Sequence, residues 1–439
     1  MRRSYRRIRN MNRPLLCTVL ASAAVFFFIS STIFGQADTL TIDRCVKIAL
    51  NNNPQIKIAV SNYDLSSSNL VNTRSVLYPQ ILLQSNAARN GGSYFIGPTS
   101  RTANYNNFSA GFQGSQLIFD FGKTFSKISG MSDLETASGQ DLISAKQNLI
   151  LNTYIAYFSY LQSERIRKVN EESLLQAGEH LKEALNFYKV GTKPQFDVIK
   201  AKADEASARV NLITAQNNLI LNRLQLENIL NIKLSDKAVF KDNLEINKDT
   251  ISLENATLLS IQNRPEILGG KARVDANKSF LTSAWTAYLP SINATGGYTW
   301  RGFDLNQPFL NSWNLGLSIS IPIFQGFQLD AGVDQARANL KNAEANYEYI
   351  VQTINLDVQQ QYVNLKLSLA KIDAAKSLLH EAEETFKLAE GRYKEGVGSP
   401  IEITDAMVTL LNAQTTNIQA LYDYQVAFVR LQKAIGTLK

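Results

Sequence analysis

The residues best placed to do chemistry in this 439-residue chain are acids and tyrosines in a stretch that occurs twice. Phe187-Tyr188-Lys189-Val190-Gly191-Thr192-Lys193-Pro194-Gln195-Phe196-Asp197-Val198 is answered by Arg392-Tyr393-Lys394-Glu395-Gly396-Val397-Gly398-Ser399-Pro400-Ile401-Glu402-Ile403. Tyr188 and Tyr393, Gly191 and Gly396, Asp197 and Glu402, and Ala201 and Ala406 are each 205 positions apart, which marks a duplication. Glu402 and Asp405 stand three apart, hence on one face of a helix. Carboxylates gathered there attract cations and repel anions. Ser399-Pro400-Ile401-Glu402 is also a capping-box sequence with proline first, so Glu402 would equally serve to start a helix.

These charges are not the parts of an enzyme. His180 and His380 fall among Glu and Lys on long helical stretches, with no Cys or Asp constellation, and read as surface residues rather than metal ligands. No Gly-rich phosphate loop follows a strand, and there is no nucleophile elbow. The sequence predicts no catalytic site, no metal and no cofactor.

Each repeated stretch reads as the point where a long helix turns back. Between Gly332 and Gly391 lie 58 residues without Gly or Pro, which as one helix would extend about 87 Å. A mean helix has only about 11 to 12 residues, so the architecture should be elongated, with helices side by side. Leu212, Ala215, Leu219, Leu226 and Ile229 form one stripe of 3 and 4 spacing, and Leu340, Ala343, Tyr347, Ile350 and Ile354 another. Asn222 and Asp357 interrupt them. The remaining helix surface is rich in Asn, Gln, Ser and Thr, which fits a water-lined face or an ordinary solvated exterior.

Short helices over 40–53 and 253–263 precede Asn53-Pro54-Gln55-Ile56 and Arg264-Pro265-Glu266-Ile267, which correspond at an offset of 211. Proline at the first helical position starts a second helix at each. Those end near Pro79 and Pro290, again 211 apart. The period then becomes two: Ile292, Ala294, Gly296, Tyr298 and Trp300 alternate with polar or small residues, as do Trp313, Leu315, Leu317, Ile319, Ile321 and Ile323. Weaker equivalents span 81–90 and 105–119, with Phe108, Ala110 and Phe112 on one side. Loops over 91–101 and 302–311 should close two hairpins, and Gly122 and Gly326 mark the return to helix.

Such strands match the about 9 to 11 residues of a tilted transmembrane strand. Four strands fall short of the roughly eight of the smallest single-chain membrane barrel. Since open edges are not tolerated in lipid, a membrane reading requires two or three copies to close the sheet. A soluble sheet with one wet face shows the same alternation, and Tyr298, Trp300 and Trp313 would be interfacial anchors in one case and core in the other.

The net charge of +7 invites a nucleic-acid reading. However, Arg2, Arg3, Arg6, Arg7, Arg9 and Arg13 precede an apolar run over 15–28, the pattern of a signal peptide, with small residues at Gly35-Gln36-Ala37. Removing residues 1–37 leaves a charge of 7 − 6 = +1, so no nucleic-acid partner is expected. Cys17 lies inside the apolar run rather than after it, which argues against a lipid anchor, and Cys45 remains without a disulfide partner. The expected division is signal peptide 1–37, first repeat 38–232, connecting segment 233–252 lying across the helices, and second repeat 253–439, the repeats interleaving as one domain.

In the order helix, hairpin, long helix, tip, helix, all twice, and in its Tyr-Lys-x-Gly tips with a following acid, the chain resembles the TolC-type outer membrane efflux proteins. The resemblance covers essentially the whole mature chain. It implies a mainly α fold with a membrane β-barrel portion: long antiparallel coiled-coil helices, and four strands per chain in a shared twelve-stranded barrel. It implies a homotrimer in outer membrane lipid, extending into the periplasm as an α-helical tunnel that meets a periplasmic adaptor and an inner-membrane pump. The function implied is a passive exit duct of a tripartite efflux or type I secretion system, gated at its periplasmic tip.

In that family the tunnel closes through carboxylates and a Tyr-Arg network. Tyr393 matches the tyrosine, Glu402 and Asp405 the two acids of the last long helix, and Asp197 the acid of the first tip. Gly398 stands where the best-known member has arginine. The turns Gly191, Thr192, Lys193 and Pro194, and Gly396, Val397, Gly398, Ser399 and Pro400, would contact the adaptor. The competing reading is a periplasmic coiled coil or adaptor with no channel, which leaves the four strands unexplained.

Overall fold

A computed structural model describes residues 39–96, 99–235, 238–242, 244, 246 and 251–438; the expected signal peptide lies outside them. The chain opens with β1 (Thr39–Leu40), α1 (Ile42–Asn52) and α2 (Pro54–Arg74). A hairpin of β2 (Gln80–Ile96) and β3 (Thr99–Phe119) leads to α3 (Lys123–Lys189) and α4 (Gln195–Leu230). After β4 (Val239–Phe240) the order recurs as α5 (Leu253–Asn263), α6 (Pro265–Thr286), β5 (Ser291–Gly302), β6 (Leu310–Ser320), α7 (Gln328–Lys394) and α8 (Pro400–Ala434). Both α3 and α7 have 67 residues, a length of about 100 Å.

The proline signals act as their chemistry requires. Asn53 accepts from the Gln55 amide (2.9 Å) ahead of Pro54 and donates to the Ile229 carbonyl (2.8 Å), fixing α2 against α4. At the equivalent corner, buried Arg264 donates to Glu266 (3.0 Å), Asp357 (3.1 Å) and the Lys433 carbonyl (3.3 Å). Asp357, which breaks the apolar stripe of α7, is therefore a partner for a buried cation. Asn222 breaks the stripe of α4 for a similar reason, donating to the Ser159 carbonyl (3.4 Å).

The described residues after α4 meet the helices near the middle of α3. β4 pairs in parallel with β1, and Tyr157 of α3 donates to the carbonyls of Leu40 (3.0 Å) and Lys241 (2.6 Å) on either side. Asp242 accepts from Arg165 of α3 (2.6 Å) and Tyr422 of α8 (3.0 Å). Cys45, Phe158, Leu226 and Leu230 pack here, while Ile354, Val358 and Tyr424 centre a second core on α7 and α8.

At the other end the strands form one sheet in the order β2-β3-β5-β6. The register gathers the apolar residues on one face. Leu83, Phe112, Tyr298 and Trp313 share a row, Ile81, Gly114, Gly296 and Leu315 the next, and Phe119, Ile292 and Ile319 a third. Gln84, Gly111, Thr299 and Ser312 form a row on the opposite, polar face. From the aromatic row to Ile319 the apolar band spans about 20 Å. Both edges, β2 and β6, are unpaired among the described residues. Among the described residues no helix is long and apolar enough to cross a membrane.

One boundary differs from expectation. The loop placed over 91–101 is largely strand: Gly91 pairs with Asn104 and Gly92 with Ala103, and the ladder runs on to Ile96 and Thr99. A ladder is made by backbone groups, so it continues where small and polar side chains end the apolar alternation.

Candidate functional site at the paired tips

The two tips close by the same backbone bonds. In the first, the Gly191 amide donates to Tyr188 O (3.0 Å) and the Thr192 amide to Phe187 O (3.0 Å). In the second, Gly396 donates to Tyr393 O (3.0 Å) and Val397 to Arg392 O (3.1 Å). These are Schellman turns, and Gly191 (φ 76°) and Gly396 (φ 78°) supply the left-handed residue that ends each long helix. Ser399 then caps α8, its Oγ accepting from the Ile401 amide (3.2 Å).

Glu402 does not complete the capping box. Its carboxylate pairs instead with Arg392 across the turn at 3.3 Å, both side chains about half exposed. The pair is open to solvent and screened by water, so it is a weak link. Asp405, one turn on, is exposed as well.

Tyr393 and Asp197 are brought together in the interior. Tyr393 of α7 is fully buried against α3, edge-on to His180 (ring centroids 4.6 Å apart) and Phe187 (5.9 Å). Asp197, in the first turn of α4, is 3% exposed. Burial, reinforced by the negative charges of Asp197 and Glu183, pushes the Tyr393 phenol up to about 12, so it remains a neutral donor at neutral pH. Tyr393 Oη, Asp197 Oδ2 and both ring nitrogens of His180 make no hydrogen bond among the described residues.

His180 corrects the surface assignment: it is only 4% exposed, whereas His380 is exposed as expected. The partner that covers it lies more than 200 positions away, so local context misplaced it. Ala177 and Ala184, both buried, bracket it at helical spacing and were the available signal.

Further links join the hairpin α3/α4 to the hairpin α7/α8. Thr404 donates to Asp204 (2.6 Å), and Lys394 lies 4.0 Å from Glu183. Lys193, which sequence reasoning placed only in the outer turn, reaches across: Nζ donates to Gly398 O (3.0 Å) and Gly396 O (3.3 Å) and lies 5.2 Å from the Tyr393 ring centre. Gly398 has no room for a side chain. A Cβ there would stand 2.8 Å from Tyr393 N and 2.9 Å from the Arg392 carbonyl carbon, which excludes an arginine from this turn as folded. At the extremity Val190 (72%), Val397 (70%), Phe196 (57%) and Ile401 (52%) are exposed, an apolar surface on otherwise polar tips.

The outer membrane efflux protein family model matches residues 45–231 and 258–437. The outer membrane protein TolC of Escherichia coli is 26% identical over 409 residues, covering 88% of this chain and 80% of its own. The toluene efflux pump outer membrane protein TtgC of Pseudomonas putida is 24% identical, covering 90% and 82%. Among solved structures, the outer membrane channel CmeC of Campylobacter jejuni superposes with a TM-score of 0.81 at 20% identity, over 97% of this chain and 94% of that one.

Proposed function

The chain belongs to the outer membrane efflux protein family, and on that premise we propose that it acts as a homotrimer whose tunnel is shut at the paired tips. It is an outer membrane channel for efflux, a component of a tripartite system, and not an enzyme. A periplasmic coiled coil without a channel is not favoured.

The observation that carries the assembly of several copies is the four-stranded sheet with a continuous apolar face and two edges unpaired among the described residues, and the choice of three rests on the family likeness. Edges of this kind are stable in lipid only when the sheet closes on copies of itself. Three copies make a barrel of twelve strands, as the likeness to the family implies. Exposed apolar residues along the helices, such as Ile213 and Ile220 of α4 and Leu356 and Val363 of α7, support lateral packing of protomers. An adaptor linked to an inner-membrane pump would dock on the apolar tip residues around Gly191–Pro194 and 396–400.

In this reading Tyr393, packed on His180 and Phe187, holds the hairpins together inside the tip with the charge of Asp197 nearby, while Glu402 and Asp405 of three copies face the opening and favour cations. Opening is a dilation of the α7/α8 hairpins away from α3/α4. The test is the native mass of detergent-extracted protein from separated membrane fractions. A trimer in the outer-membrane fraction is expected; a dimer there would overturn the trimer, and a soluble monomer or dimer in the periplasmic fraction would overturn the shared barrel.

A further inference from the structure

We propose that Lys193 is the positioning residue that ties the two tips of each protomer together in the shut state, a role that rests on the gate reading above. Lys193 is on the first turn and both of its acceptors, Gly396 O and Gly398 O, are on the second. Among the described residues it is the one side chain that donates to a backbone carbonyl of the opposite tip turn.

Three features make the contact specific. The acceptors lie in the turn just beyond the C-terminus of α7, where the helix dipole places a partial negative charge, so an ammonium is the matching group. Gly398 is buried and bare, and the amide that folds it back onto Arg392 O (2.8 Å) fixes its carbonyl in reach of the lysine. The ammonium also lies by the Tyr393 ring, a cation over an aromatic face, which couples the tether to the tyrosine buried against α3.

The tether differs in kind from the other links. Thr404–Asp204 and Lys394–Glu183 join helix flanks, whereas Lys193 joins the two reversals themselves. Separating the hairpins at the tip requires breaking both of its hydrogen bonds at once. Rejoining them needs only a rotation of a flexible side chain, so the link is reversible.

The test uses the full-length channel in detergent and in planar bilayers, with Lys193→Met, Lys193→Arg and, as a charge-matched control, Lys189→Met at an exposed lysine four positions earlier. Amide hydrogen exchange over residues 392–400 and resting single-channel conductance are read together. Lys193→Met should speed exchange there about 5- to 10-fold and raise resting conductance. Lys193→Arg should restore both, and Lys189→Met should leave both at the wild-type level.

Wild-type exchange in Lys193→Met, faster exchange with unchanged conductance, or an equal effect of Lys189→Met would each overturn the inference. Recording Glu402→Ala/Asp405→Ala alongside separates it from the gate reading. If that double variant alters conductance and Lys193→Met does not, the tether fails and the gate stands. If neither alters it, the gate reading fails with the tether.

Discussion

Lys193 and Gly398 hold equivalent places in the two repeats, 205 positions apart, and the ammonium of one lies 3.0 Å from the carbonyl oxygen of the other. The duplication therefore supplies two copies of one turn, with the same Schellman bonds, and divergence at a single position makes them complementary. One copy extends a donor and the other exposes an acceptor. Around that contact Tyr393, a residue of the second repeat, is buried by His180 and Phe187 of the first. The tip is thus a joint between the repeats rather than two independent ends.

Gly398→Ala should loosen this joint. Its Cβ would stand 2.8 Å from Tyr393 N, and the obstruction is backbone that cannot rotate away. A cost of about 1–3 kcal/mol is expected, typical of overpacking. Amide exchange over 392–400 should accelerate while the native mass of the assembly stays unchanged.

Acid should weaken the tip through His180. Burial lowers its pKa from the usual 6.5, against the raising effect of Asp204 and Asp197 and together with the lowering effect of Lys200. With the folded value depressed, the neutral ring is accommodated without penalty above about 6.5 and stability is lost as pH falls through the folded value. Resting conductance recorded from pH 7 to pH 5 should rise, and His180→Phe should flatten the rise.

The sheet faces should tolerate charge unequally. Leu317 lies on the apolar face in register with Ala294, and neighbouring Ser318 lies on the polar face opposite Asn293. Leu317→Arg should impair assembly by about 2–4 kcal/mol if that face meets the bilayer interior, and Ser318→Arg at the same depth should not. Yield of assembled channel in the outer-membrane fraction measures the difference.

The duplication, the long helices and the strong strands β5 and β6 were legible in the sequence because each leaves a period or an offset that one chain displays by itself. The hairpin of β2 and β3 was shortened in reading because Gly91, Gly92 and Asn104 carry no apolar alternation, although their backbones pair. At the site, Glu402 and Asp405 stood out by their spacing, and Tyr393 and Asp197 by their match to the family's tips. The burial of His180, the pairing of Glu402 with Arg392 and the reach of Lys193 did not, since each depends on which helix or turn is brought alongside. Asp357 shows the same limit: as a break in a stripe it reads as a flaw, and only the fold supplies Arg264.

The most direct test of the gated duct is single-channel recording of Glu402→Ala/Asp405→Ala in a planar bilayer. Because Arg392 pairs with Glu402, Asp405 should contribute more of the free negative charge, and Asp405→Ala alone should act more strongly than Glu402→Ala. The double variant is predicted to show a higher resting conductance and a weaker preference for cations. Traces and ion selectivity indistinguishable from wild type would contradict the account of a tunnel shut and charged at these tips.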